Sequence, residues 1–180
     1  ISQTACSVKH DENLKSEENQ NAPISKEAFF FDTVCNITIL DMRDMSKENA
    51  TKVIDEAYKE ANKYEKIFSR QIENSELWKL NNDGEIEASE DLFNVVQTGI
   101  KYGDLSAGKF DITMGKVLDL WDFQRDGSGK LPKEDEVNQA LETVGYKNVE
   151  TSSLNGGKNL IKTGGRGSQI DLGGVAKGYI

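Results

Sequence analysis

The run Gly173-Gly174-Val175-Ala176-Lys177-Gly178 gathers what a bound phosphate needs. Backbone amides can approach an anion closely where no Cβ intervenes, a helix N-terminus favours negative charge, and Lys177 adds a cation. The spacing is not that of a Walker A loop, because the run before the lysine is too short and no Ser or Thr follows it. It is not the GxGxxG of a dinucleotide-binding strand either. Read alone, the run is either a phosphate cradle or a plain strand-to-helix turn.

A second cluster is Ser106-Ala107-Gly108-Lys109-Phe110-Asp111-Ile112-Thr113, followed by Gly115 and Leu120-Trp121. Asp111 and Thr113 lie two apart, so in extended chain they share a face. A carboxylate and a hydroxyl on one face can hold ribose or adenine groups; they can equally close an Asx or Ser/Thr turn. A third cluster is Phe68-Ser69-Arg70, Ser75-Glu76-Leu77 and Leu80-Asn81. Arg70 suits a phosphate contact or a solvated surface. The single histidine, His10, sits in a polar stretch, so the sequence gives no support to a histidine base. Chemistry here falls to carboxylates, lysine, hydroxyls or a metal.

The elements that must position these groups follow from periodicity. Residues 1–28 read as a polar tether, rich in Glu, Asn, Ser and Lys and too poor in large apolar residues to offset their ordering entropy. Residues 31–40 read as a strand. Ser46 caps a helix over 48–66, with Ala50, Val53, Ile54, Ala57, Tyr58, Ala61, Tyr64, Ile67 and Phe68 on one stripe. A short helix is predicted over 75–80, a turn at 81–84, and a helix opening at Ser89 with Leu92, Phe93, Val96, Ile100 and Tyr102 toward the core. Pro132 and the acidic run behind it open a further helix ending at Gly145. Short strands are predicted at 146–149, 159–162 and 169–172, with a hairpin turn at Asn155-Gly156-Gly157.

Composition bounds the function. The 180 residues suffice for one domain with a core, 36% are hydrophobic, and no apolar run approaches the roughly 20 residues that span a bilayer. A net charge of -9 with no dense basic cluster argues against a nucleic-acid partner. The two cysteines, Cys6 and Cys35, fit neither a zinc site nor a redox pair. Cys6 follows small residues and precedes a polar spacer, a pattern that suits a lipid-anchored N-terminus, although Gln3 stands where an aliphatic residue is usual. The chain opens on Ile1 and stops just inside an expected helix, which predicts a part of a longer protein.

Taken in order, the three clusters resemble the ApbE family of FAD:protein FMN transferases. That family carries a strand with a Gly-Thr or Asp-Thr pair, here Asp32-Thr33; then Phe-Ser-Arg, Ser-Glu-Leu and Leu-Asn. It continues with Gly-x-Phe-Asp-x-Thr-x-Gly, here Gly108 to Gly115, Leu-Trp behind it, and Asp-Leu-Gly-Gly-Val-Ala-Lys-Gly-Tyr, here Asp171 to Tyr179. The likeness runs from Phe29 to Ile180. It implies an α+β fold with a T-fold-like core of mixed sheet and packed helices, with FAD between lobes. It implies magnesium-dependent transfer of FMN to a Thr or Ser of a flavin-accepting protein, with release of AMP.

By resemblance, Phe31 and Gln71 contact FAD, although an aromatic residue is common at the position of Gln71. Lys109, Phe110 and Asp111 hold the adenosine end. Gly173 and Lys177 meet the diphosphate, with Lys177 as the catalytic charge, and the Ala176 carbonyl is one magnesium ligand. The remaining ligands belong to an Asp-Ala-x-x-Thr-type motif that these 180 residues lack, so the sequence predicts an incomplete site. Two other readings stay open: an FAD-hydrolysing or flavin-binding lipoprotein, and a non-catalytic cell-surface binding domain.

Overall fold

The computed structural model describes residues 22–31, 33–121, 131–154, 156–165 and 167–180. Its longest element, α1 (Lys47–Phe68), begins where the Ser46 hydroxyl accepts the Asn49 N–H at 3.2 Å. That contact satisfies one of the helix's orphan donors, and Glu48 and Lys66 sit at the ends that their charges favour. The buried stripe is narrower than its sequence pattern: Ala50, Ile54, Ile67 and Phe68 are covered, but Val53 and Ala57 are exposed.

The first half of α1 packs against a two-stranded hairpin, β1 (Ile24–Phe30) and β2 (Thr33–Ile39), antiparallel from Ile24↔Ile39 to Phe30↔Thr33. This corrects the tether boundary at residue 28 and the single strand over 31–40. Residues 24–28 are already strand, and the chain reverses through Phe31, whose φ is 52°. A period-2 alternation was hidden in a polar stretch. Ile24, Lys26, Ala28 and Phe30 are the more covered positions, while Ser25, Glu27 and Phe29 face out. Lys26 fits inward because its ammonium pairs with Asp55 of α1. Tyr58 of α1 fastens both strands: its hydroxyl accepts the Ile37 N–H (3.2 Å) and lies within hydrogen-bond reach of the Lys26 and Cys35 carbonyls.

The larger sheet has order β3-β5-β4, all antiparallel, built from β3 (Glu85–Ala88), β4 (Glu150–Leu154) and β5 (Lys158–Lys162). Gly156 and Gly157, both at positive φ, close the β4–β5 hairpin as predicted. Two helices pack on this sheet, α2 (Glu76–Asp83) and α3 (Glu90–Leu105), capped by the Ser75 and Ser89 side chains. The predicted turn at 81–84 is instead the last turn of α2, stopped by Gly84 in the left-handed conformation (φ 78°). Leu77, Leu80, Leu92, Val95, Val96, Ile112, Ile161, Ile170 and Leu172 fill the core. Each contributes roughly 1.5–3 kcal/mol by leaving water.

The remaining elements are α4 (Gly115–Asp119), α5 (Glu134–Leu141), a 3-10 turn (Tyr146–Asn148) and α6 (Ala176–Tyr179). Three expectations fail here. The helix after Pro132 ends at Leu141, before Val144, and residues 146–149 make a 3-10 turn because Asn148 and Val149 bond back to Gly145 and Tyr146. The predicted strand at 169–172 joins no sheet and makes a single parallel bridge, Gln169 to Met114. The architecture is α+β, as expected from the sequence.

Residues 169–172 are held without a ladder. The Asn81 amide imitates a neighbouring strand, accepting the Ile170 N–H at 2.7 Å and donating to the Ile170 carbonyl at 2.9 Å. The Asp171 N–H reaches the Ile112 carbonyl (2.7 Å), and the Gln169 carbonyl accepts the Gly115 N–H (3.0 Å). Asn81→Ala leaves two backbone groups of a fully buried residue without partners. It is expected to lower stability by roughly 2–5 kcal/mol, read from the urea unfolding midpoint.

Candidate functional site

The site is built where the C-terminal end of α3 meets the turn before α6. Beyond Leu105 the chain folds back through Ala107 (φ 53°) and Gly108 (φ 79°), and the Gly108 N–H returns to the Gly103 carbonyl at 2.8 Å. This reversal, with the Phe110 N–H on the Ser106 hydroxyl (2.9 Å), sets the Phe110 ring edge-on to Tyr102 at 6.5 Å.

Asp111 then anchors the loop. Its Oδ1 accepts the Thr113 N–H (2.8 Å) and hydroxyl (2.5 Å), and its Oδ2 accepts the Tyr146 N–H (3.0 Å). The Thr113 hydroxyl oxygen in turn accepts the Gly145 N–H at 2.7 Å. The shared face of Asp111 and Thr113 therefore closes an Asx turn and ties it to the 3-10 segment. Both carboxylate oxygens are engaged by the protein, so Asp111, which the resemblance sets at the adenosine end, has a structural role in this loop. Tyr146 reinforces the join by donating its hydroxyl to Asp104 (3.0 Å), and burial, then that carboxylate, raises its phenol above the ordinary value.

Across the cleft lies the glycine-rich turn. The Leu172 carbonyl accepts the Val175 and Ala176 N–H groups at 3.0 and 2.8 Å. Gly174 has no room for a side chain: a Cβ there would stand 2.8 Å from Phe110 Cε2. Glycine and ring thus fit together and enclose an open cleft of about 630 Å³, with Tyr102, Ser106 and Phe110 on one wall and Gly174, Val175 and Tyr179 on the other. Tyr179 is fixed by Tyr64 and Phe68, edge-on at 6.0 and 5.8 Å, and donates its hydroxyl to Asp91 at 2.8 Å. That bond, with desolvation, raises its phenol above the ordinary range.

Arg70 is not a solvated arginine but a paired one. Its Nε meets Asp171 and its Nη1 meets Asp119, both at 2.7 Å, and its side chain is 17% exposed. Burial works against the guanidinium charge, but the hydrogen bond and charge of Asp119, then those of Asp171, outweigh it and hold the arginine above its ordinary pKa.

Of the residues singled out by sequence, Phe110 lines the cleft. Gly173 and Lys109 flank it, both exposed. Lys177 is exposed on α6 and is not part of the lining. Phe31 packs on the core, its N–H on Glu65 Oε1 (2.8 Å). Gln71 is exposed, its N–H on the Ser69 hydroxyl (3.2 Å), and is not part of the cleft lining. Ala176 is buried and its carbonyl accepts the Ile180 N–H at 3.3 Å. Among the described residues no three His, Cys, Asp or Glu side chains converge to hold a metal, so these residues alone do not fit a magnesium ion. Sequence reasoning missed the aromatic wall: Tyr102, expected in the core, is 51% exposed at the cleft. Its position at the end of α3, just before the Gly108 reversal, was the available signal.

The sequence profile of the ApbE family matches residues 31–180. The chain belongs to the ApbE family. Its curated relatives include the FAD:protein FMN transferase of Treponema pallidum (strain Nichols), 22% identical over 153 residues, covering 82% of this chain and 41% of that protein. The FAD:protein FMN transferase of Buchnera aphidicola subsp. Schizaphis graminum (strain Sg) is 26% identical over 122 residues, covering 64% and 35%. The crystal structure of the ApbE protein of Thermotoga maritima superposes with a TM-score of 0.71 at 27% identity, over 87% of this chain and 49% of that one. The flavin transferase ApbE of Vibrio cholerae shares the fold with the same TM-score at 19% identity, over 87% and 50%. This ApbE-family chain thus spans about half the length of the solved structures it matches, and less of the curated relatives.

Asp111 of this ApbE-family chain separates a ligand contact from a structural one. Asp111→Ala is expected to lower the unfolding free energy by about 2–4 kcal/mol, because it strips acceptors from Thr113 and Tyr146. Lys109→Ala, at an exposed position, should stay within about 0.5 kcal/mol. An unfolding curve for Asp111→Ala that overlays the parent would refute the structural role.

Proposed function

We propose that the protein to which this chain belongs is an FAD:protein FMN transferase whose cleft, between Phe110 and Gly174, takes part of FAD. The observation that supports this most is the seating of the Phe110 ring on Gly174. It joins two motif segments far apart in sequence into one cleft with an apolar, aromatic wall beside a glycine turn. A planar ring system carrying phosphates matches such a surface, since aromatic walls take rings and glycines admit phosphate oxygens. The curated relatives carry the same activity in their names.

In the proposed reaction the hydroxyl of a Thr or Ser on a flavin-accepting protein attacks the FMN phosphorus of FAD. One P–O bond forms, the anhydride P–O bond breaks, AMP leaves with the electron pair, and the hydroxyl proton passes to solvent. A magnesium ion would supply charge neutralisation at the phosphates. By the family resemblance the Ala176 carbonyl would be one of its ligands. Lys177 would add positive charge beside the same diphosphate. The proposal extends to a lipid anchor at Cys6 and an extracytoplasmic location; Cys6 lies outside the described residues.

Calorimetry on the full-length protein tests the binding half: FAD should bind more tightly than FMN, and Gly174→Val, which pushes a side chain into the space of Phe110, should weaken FAD by roughly tenfold. Equal affinity for FAD and FMN would refute the assignment. The catalytic half is tested by AMP release. Lys177→Ala should lower turnover by roughly tenfold to a thousandfold with a smaller loss of FAD affinity. Unchanged turnover at saturating FAD and magnesium would remove Lys177 from the site. AMP release without an acceptor protein would point to FAD hydrolysis, and none under any condition to a binding domain.

A further inference from the structure

The motif arginine Arg70 lies outside the cleft lining yet is nearly buried, and both of its carboxylate partners come from elements next to the site. Asp119 ends α4, which follows the Phe110 segment, and Asp171 stands two residues before Gly173, where the glycine turn begins. Asp171 uses its two oxygens for different tasks. Oδ2 accepts Arg70 Nε at 2.7 Å, while Oδ1 accepts the Gly173 N–H at 2.9 Å. The guanidinium therefore fixes the carboxylate, and the carboxylate fixes the first amide of the turn. The planar fork of arginine reaches two acceptors at once, which a lysine ammonium on a flexible stem does less well.

We propose that Arg70 is a positioning residue: acting through Asp171, it sets the Gly173–Gly174 turn and with it the width of the cleft against Phe110. Arg70 touches neither the ligand nor the reacting atoms. The affinity part of this inference rests on FAD being the ligand of the cleft; the geometric part does not.

The test uses full-length protein labelled with 15N-glycine, prepared as parent, Arg70→Gln and Arg70→Lys. The amide resonance of Gly173 reports the hydrogen bond to Asp171, and those of Gly99 and Gly103 on α3 report the rest of the fold. In Arg70→Gln the Gly173 resonance should move and its solvent exchange should quicken by at least about tenfold, while Gly99 and Gly103 stay in place. FAD affinity should fall by about tenfold or more, and Arg70→Lys should recover part of both effects. A loss of affinity with an unmoved Gly173 resonance would overturn the proposal in favour of direct contact between Arg70 and ligand. So would unmoved resonance and affinity together, or equal disturbance of Gly173, Gly99 and Gly103. Should Arg70→Gln not fold, the same criteria apply to Arg70→Lys, which keeps the charge. A parent protein that binds no FAD would refute the function proposed above, while the Gly173 resonance would still decide the positioning role.

Discussion

The structure depends on holding a short extended segment, residues 169–172, in the core without a sheet to hold it. Buried backbone groups need partners, and a strand normally finds them in its neighbours. Here the partners come from elsewhere: a side-chain amide on α2, the Ile112 carbonyl, and the amide that opens α4. Ile170 and Leu172 lock the segment from below by burial. Because the glycine turn leaves this segment directly, any slack in it would be passed to the cleft. Rigid support behind the flexible turn is what allows two adjacent glycines to keep one shape.

The opposite wall has a matching support. Asp111 and Thr113 gather three backbone amides from two segments more than thirty residues apart, so the Phe110 loop and the 3-10 turn act as one body. The approach is close: a Cβ on Gly103 would stand 2.6 Å from the Tyr146 ring. Polar groups in both walls are spent on architecture, while the lining is left to aromatic rings and glycines. Lys109 and Lys177, next in sequence to the lining residues Phe110 and Gly178, are exposed and lie outside that lining.

Much of this was legible in the sequence where a single local signal decides the outcome. Ser46, Ser75 and Ser89 announced three helix starts, and Gly156-Gly157 a hairpin, because caps and left-handed turns depend on a few adjacent residues. The ordered motifs also pointed to the family. What could not be read depends on partners distant in the chain. β1 looked like tether because its alternation is carried partly by Lys26, which is acceptable on the inner face only with Asp55 on α1. The strand expected at 146–149 lost to Asp111, which claims the Tyr146 amide for a turn. Asp111 suited a ligand contact by its type, and Asn81 a turn. Their roles turn on which backbone groups lie opposite, and a sequence does not state that.

The β1–β2 hairpin shares no ladder with the larger sheet, and its chief neighbour is α1. A two-stranded ribbon has little stability of its own in water. Its attachment is a small set of contacts: the Tyr58 hydroxyl, the Phe30–Tyr58 ring pair at 5.6 Å, the Lys26–Asp55 pair and the Phe31 amide on Glu65. None of these involves the larger sheet. Asp55 and Tyr58 lie near the middle of α1 and Glu65 near its end, so the ribbon is held through one helix and through Phe31 on the core. A ribbon so attached is expected to open locally before the larger sheet does.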